Sequence, residues 1–167
     1  MKGAVPQPSP PRAEAAPAEA IEERTTIAGT CVALDGQGVL LRGPSGAGKS
    51  DLALRLLMEG ARLVADDQTT LVHRGAGLIA SAPVAILGLL EVRGLGILRF
   101  PTLSSAPLAC VVDLVPAREV VRLPELERAT LLGVALPHFH LDAFAASATA
   151  KVRLAVRIAT GGIIRLP

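Results

Sequence analysis

A lysine and a serine set behind three glycines carry the most chemistry in this chain. Residues 43–50 read Gly43-Pro44-Ser45-Gly46-Ala47-Gly48-Lys49-Ser50, of the form G-x-x-x-x-G-K-S. Glycines at 43, 46 and 48 let successive backbone N–H groups turn inward, which a Cβ would hinder, and so line an anion nest. Lys49 is the cation placed to reach β- and γ-phosphates, and the Ser50 hydroxyl can ligate Mg²⁺. The chain has three lysines in all, so one falling here by accident is rare. The octet is read as a cradle for the phosphates of a nucleotide.

Further acids stand downstream. Asp66 and Asp67 close an apolar run about one strand length past the helix that follows the octet. Adjacent acids at the carboxyl end of a strand are where phosphoryl-transfer sheets place a metal ligand or a catalytic base. The structural alternative is an Asp-Asp turn before a hairpin. Glu91 and Arg93 lie in Gly88-Leu89-Leu90-Glu91-Val92-Arg93-Gly94-Leu95-Gly96-Ile97, whose apolar flanks suggest a buried strand with both charges on one face. A buried strand carries such charges when they serve a site; the structural alternative is a cross-strand ion pair. His73, His138 and His140 read as surface or strand-end residues, since none shows metal spacing with a third ligand. Cys31 and Cys110 fall in apolar runs and read as buried, inert thiols.

These residues need elements to hold them. Val39 to Arg42 is a short strand entering the octet, and Ser50 to Glu59 has helical spacing that stops at Gly60. The helix N-terminus thus points its partial positive charge at the loop. Thr30 to Leu34 is a strand, and the turn Asp35-Gly36-Gln37-Gly38 makes it the antiparallel neighbour of Val39 to Arg42. The sheet is therefore expected to be mixed rather than purely parallel. Arg62 to Ala65 is a strand, and Thr69 to His73 alternates like its hairpin partner. Leu78 to Ala80, Ile86 to Val92, Leu95 to Phe100 and Leu108 to Val112 continue the strand-rich section. Residues 113–130 read as connectors or a short helix, Leu131 to Leu136 as a strand, and Ser147 to Ala159 as a helix ended by Gly161-Gly162.

Bulk composition narrows the classes. Apolar residues make up 50% and aromatics 2% of the chain, with no Trp or Tyr, so the core must be Leu, Val, Ile and Ala. The net charge of +2 is too small to imply nucleic acid, and no aromatic platform exists for stacking bases. The longest apolar stretch, Leu78 to Leu90, is broken by Pro83 and too short to span a bilayer, so no membrane partner is expected. With no secretory signal visible, a cytoplasmic setting follows. Residues 1–22 are rich in Pro, Ala and Glu and read as a disordered tail before one folded domain, 23–167.

Taken in order and spacing, Gly43 to Ser50, Arg62 to Asp67 and Leu90 to Ile97 resemble the catalytic domain of HPr kinase/phosphorylase, over roughly residues 28–158. The last block is similar to that family's signature sequence, and the chain looks like a short form without the separate N-terminal domain. The resemblance implies an α/β fold: a P-loop domain with a mixed β-sheet, like the nucleotide domain of phosphoenolpyruvate carboxykinase. It implies an ATP- and Mg²⁺-dependent kinase acting on a serine of HPr, the small carrier of the phosphotransferase system, and the reverse attack of inorganic phosphate. Phosphate or pyrophosphate is a further ligand on this view, and a homo-oligomer, a hexamer, the expected assembly. Lys49 would stabilise the transferring phosphoryl group, Asp66 would take the seryl proton, and Ser50 and Glu91 would hold Mg²⁺ with Asp67 beside them. Arg122 matches a catalytic arginine when one residue is gapped.

Two departures qualify the match. The family places a functional histidine where this chain has Ala28, which deprives Asp66 of a neighbour that tunes it. The arginine-containing loop of long members, before the last helix, is here Leu136 to Ser147 without arginine. Ala28 favours an alternative, a nucleotide-binding regulatory protein or sensor with weak or no phosphotransfer. A small-molecule kinase is a third reading, but it would have little use for the Glu91-to-Ile97 block.

Overall fold

The computed structural model describes residues 22–166. The proline-rich tail expected over 1–22 lies outside the described residues except for Glu22, which pairs with Arg74 at 3.1 Å. In chain order the elements are β1 (Arg24–Ala28), β2 (Thr30–Leu34), β3 (Gln37–Arg42), α1 (Lys49–Met58), β4 (Arg62–Ala65), β5 (Gln68–Arg74) and β6 (Gly77–Ser81). They continue with β7 (Leu89–Val92), β8 (Gly96–Arg99), β9 (Ser105–Leu114), β10 (Glu127–Leu131), β11 (Val134–Leu141) and α2 (Ala148–Ala159). Single 3₁₀ turns occupy Val84–Ile86 and Ala117–Glu119.

Nine strands form one sheet along the path β1-β5-β6-β9-β3-β2-β4, with β11 also on β9 and β10 on β11. β3 and β11 run parallel to β9, and the remaining pairs are antiparallel. The sheet is mixed, with β2 the antiparallel neighbour of β3 as expected, but the reversal between them is the two residues Asp35-Gly36, both at positive φ, rather than the four from Asp35 to Gly38, since Leu34 pairs with Gln37. Its two faces read directly from residue parity. Val39, Leu41, Cys110 and Val112 pack under Leu52, Leu56 and Val152 of the helices. Leu40, Val111, Leu71 and Leu136 face the other way, into a second core closed by the curl of the sheet. Both cores are aliphatic, and the two cysteines are buried in them, their thiols pushed up to about 12 by burial and, for Cys31, by neighbouring Cys110.

Three expectations need correction. Thr69 to His73 is not the hairpin partner of β4. β4 pairs with β2, whereas β5 pairs with β1 and β6. The chain does not reverse at Asp66-Asp67; Asp67 adopts φ 62, and the ribbon bends there in step with Gly29 between β1 and β2. A hydrogen bond from Gly29 N to Asp67 O, 2.8 Å, locks that corner. Alternation signals a strand but says nothing of its partner.

Leu131 to Leu136 is likewise not one strand. Leu132 (φ 45) and Gly133 (φ 74) form a two-residue turn with both φ positive, the geometry that matches strand twist. β10 before it occupies the end of the supposed connector. Glu91 and Arg93 are not buried, because β7 and β8 form a separate two-stranded sheet. Leu90 and Val92 enter the core, while Glu91 is exposed and Arg93 lies beyond the strand end. Among the described residues no helix is long and apolar enough to cross a membrane.

Candidate active site

The glycine-rich loop of residues 43–48 leaves the carboxyl end of β3 and runs into α1, whose first residue is Lys49. Gly46 and Gly48 have φ of 83 and 91, a region that L side chains rarely adopt. Space is a second constraint at Gly48, where a Cβ would lie 2.8 Å from Ala143 Cβ and 3.0 Å from Phe144 Cζ. The segment before α2 therefore packs directly against the loop. Among the described residues, the amides of Ser45, Gly46 and Gly48 donate to no protein acceptor. They stand at the N-terminus of α1, where the helix adds partial positive charge, so the arrangement suits a polyanion.

Lys49 Nζ folds over the loop and donates to the carbonyl oxygens of Gly43 (2.8 Å) and Pro44 (3.1 Å). Ser50 Oγ donates to Asp66 Oδ1 at 3.0 Å, and Thr30 Oγ1 donates to the same oxygen at 2.9 Å. Asp66 is only 8% exposed; the two hydroxyls satisfy one oxygen and leave Oδ2 for other chemistry. Asp67 turns outward at its left-handed φ, a conformation Asp tolerates better than most residues. Asp66, Asp67 and Glu91 line one cleft of about 330 Å³, together with Gln68 and the apolar Ile86, Leu89 and Ile97.

The structure thus brings together Ser50, Asp66, Asp67 and Glu91 from three separate stretches of chain. Arg122 is exposed on the connector before β10 and has no hydrogen bond or ion pair, with these or other residues, among the described residues. Ala28 ends β1 opposite Gln68, which places the position next to the cleft. The sequence reading missed Thr30, whose available signal was a lone hydroxyl opening an apolar strand. It also missed the packing of Ala143 and Phe144 on Gly48, for which no local signal exists.

His138 and His140, read from the sequence as surface or strand-end residues, lie within β11 and face carboxylates. His138 Nε2 lies 2.8 Å from Asp113 Oδ2, and Glu127 Oε2 approaches both rings. The partners come from β9 and β10, 25 and 11 residues away from His138, so strand spacing could not show them.

A glycine cradle on a parallel strand pair, a lysine over it and an acidic cleft beside it define a P-loop-type kinase fold. Comparison with known proteins sharpens that class. The profile of the family described as HPr Serine kinase C-terminal domain matches residues 19–137, and the chain belongs to that family. The HPr kinase/phosphorylase of Clostridium tetani is 38% identical over 110 residues, covering 66% of this chain and 35% of that protein. That of Geobacillus thermodenitrificans is 41% identical over 125 residues, covering 68% and 40%. The chain therefore spans little more than a third of the length of these relatives. The solved Hpr(Ser) kinase/phosphatase from Coxiella burnetii superposes with a TM-score of 0.73 at 24% identity, covering 83% of this chain and 97% of that one. That likeness is one of fold.

Proposed function

We propose that this domain binds ATP at Gly43 to Ser50 and transfers its γ-phosphoryl group to a serine hydroxyl of an HPr-like phosphocarrier. The observation that carries the reading is the meeting of Ser50 with Asp66 at 3.0 Å, beside a cleft shared by Asp66, Asp67 and Glu91. Ser50, Asp67 and Glu91 offer only oxygen donors, which fits a hard cation completed by phosphates and water. They would hold Mg²⁺, whose contribution when bound is to neutralise charge on the phosphate oxygens.

The remaining roles belong to the chain's own groups. Lys49 exchanges two neutral carbonyl acceptors for phosphate oxygens, a stronger charge-assisted pairing. Asp66, with Oδ1 fixed by Thr30 and Ser50, presents Oδ2 to orient the seryl hydroxyl and take its proton. Attack of inorganic phosphate on phosphoserine would use the same groups in reverse, with Asp66 returning the proton. Arg122 is assigned to the transferring group on the resemblance alone. So are a homo-hexameric assembly and a cytoplasmic setting.

One observation favours a second reading. Ala28 is exposed opposite Gln68 at the cleft and brings no imidazole to Asp66, so a nucleotide sensor with little turnover uses the same loop. Incubation with labelled ATP, Mg²⁺ and purified HPr homologues separates the two. Label on a carrier serine, lost in Lys49→Ala and Asp66→Asn, supports the kinase. Tight nucleotide binding without transfer to any carrier supports the sensor.

A further inference from the structure

His138 and His140 are two residues apart on β11, so both side chains leave the same face of the sheet. Leu136 shares that face and packs in the second core, on the side away from the helices. Neighbouring strands bring polar groups to the same place. Asp113 pairs with His140 across β9 and β11, Arg42 with Asp113 across β3 and β9, and Glu127 with His138 across β10 and β11.

The two edges of the His138 ring meet different carboxylates. On one edge Nε2 lies 2.8 Å from Asp113 Oδ2. Asp113 is clasped by Arg42, Nε to Oδ1 at 2.7 Å and Nη2 to Oδ2 at 2.8 Å. A carboxylate only accepts, so Nε2 carries the hydrogen and the lone pair of the neutral ring sits on Nδ1.

On the other edge, His138 Nδ1 lies 3.6 Å and His140 Nδ1 3.8 Å from the same Glu127 Oε2. These distances are too long for hydrogen bonds. They lie at and slightly beyond the ligand–ligand edge of a tetrahedral site, roughly 3.3–3.6 Å for metal bonds of about 2.0–2.2 Å. The ring centroids are 4.5 Å apart and the ring planes are tilted by 54°.

We propose that His138 Nδ1, His140 Nδ1 and Glu127 Oε2 form a binding site for one Zn²⁺ ion, with Asp113 as the outer carboxylate that orients His138. Two imidazoles and one carboxylate suit zinc, whereas Mg²⁺ and Ca²⁺ take oxygen ligands. Three protein ligands leave the fourth position to water. A carboxylate on the far nitrogen of a metal-bound histidine fixes its tautomer and raises its basicity. Ligand atoms of Asp113, His138 and His140 all lie within 4.8 Å of one another, but Arg42 and His138 already occupy both Asp113 oxygens, which keeps that residue outside the inner set. The Arg42 charge is matched by Asp113 and stands on the opposite edge of the ring from the ion. His138 is 12% exposed and His140 36%, so solvent reaches the site. The stretch matched to the family ends at residue 137, one residue before the pair. A bound ion would tie β10 to β11 and, through Asp113 and Arg42, brace the residue that enters the phosphate loop.

The test is a zinc titration of the full chain, prepared without a histidine tag and stripped with chelator, in competition with a chromophoric chelator. One ion per chain is expected. Asp113→Asn should weaken it roughly 10–100-fold, and His140→Ala and Glu127→Gln should weaken it further, with His73→Ala unchanged. Circular dichroism verifies each fold; should Asp113→Asn unfold, Glu127→Gln at an exposed position decides. Millimolar Mg²⁺ should leave the isotherm in place. No binding, binding that survives His140→Ala, or zinc displaced by Mg²⁺ and so held in the acidic cleft overturns the assignment.

Discussion

Substituting Asp66 in two ways separates its chemical role from its structural one. Asp66→Asn keeps a carbonyl oxygen where Oδ1 accepts from Thr30 (2.9 Å) and Ser50 (3.0 Å), so both hydroxyls stay satisfied. It replaces Oδ2, the oxygen proposed to take the seryl proton, with an amide that cannot. Turnover should fall by about 10²–10⁴, the range for loss of a positioned general base, with the melting temperature little changed. Asp66→Ala should lose the same turnover and also strand Thr30, which is fully buried. One unpartnered buried hydroxyl costs about 1–3 kcal/mol. At roughly 2–4 °C of melting temperature per kcal/mol for a domain of this size, a clear drop follows. Ser50 is half-buried and can turn to water, so it adds little. The assay is phosphoryl transfer to an HPr homologue alongside a thermal melt of each variant. Turnover of Asp66→Asn within tenfold of the unaltered protein would refute the proton-transfer role. Equal melting loss in both variants would refute the hydrogen-bond argument.

Other consequences are equally direct. Gly48→Ala places a Cβ at φ 91, 2.8 Å from Ala143 Cβ; Phe144 can swing away but buried Ala143 cannot. About 1–2 kcal/mol of backbone strain plus the clash should lower the melting temperature and abolish the thermal protection given by ATP. Ala28→His should raise phosphotransfer by restoring an imidazole at the cleft, and no change in either direction counts against that role. Asp113 has a folded pKa lowered from 3.8. Its contribution is therefore full above that ordinary value and is lost as pH falls through the lowered one. Urea denaturation should show Asp113→Asn less stable at neutral pH but with a flatter decline below about pH 4; parallel acid limbs would contradict this.

Much of the fold was legible because its signals are local. The octet, the helix after it, the Gly60 stop and the hairpin into β3 each follow from a few neighbouring residues. Partner choice was not legible: Thr69 to His73 alternates identically whether it pairs with β4 or with β1 and β6. The Leu132-Gly133 turn was hidden because a leucine at positive φ gives no composition signal. Glu91 was found but set in the wrong surroundings, since its apolar neighbours on β7 bury only one side of a two-stranded ribbon.

The octet's identity and the presence of acids at 66, 67 and 91 are properties of the linear chain, since residue type and close spacing suffice to state them. That Ser50 reaches Asp66 across 16 residues, that Glu91 opens onto the same cleft, and that Arg42, Asp113, His138 and Glu127 line up over four strands came from the folded sheet. Strand register is set by burying one face of every strand at once, and no single stretch of residues contains that constraint.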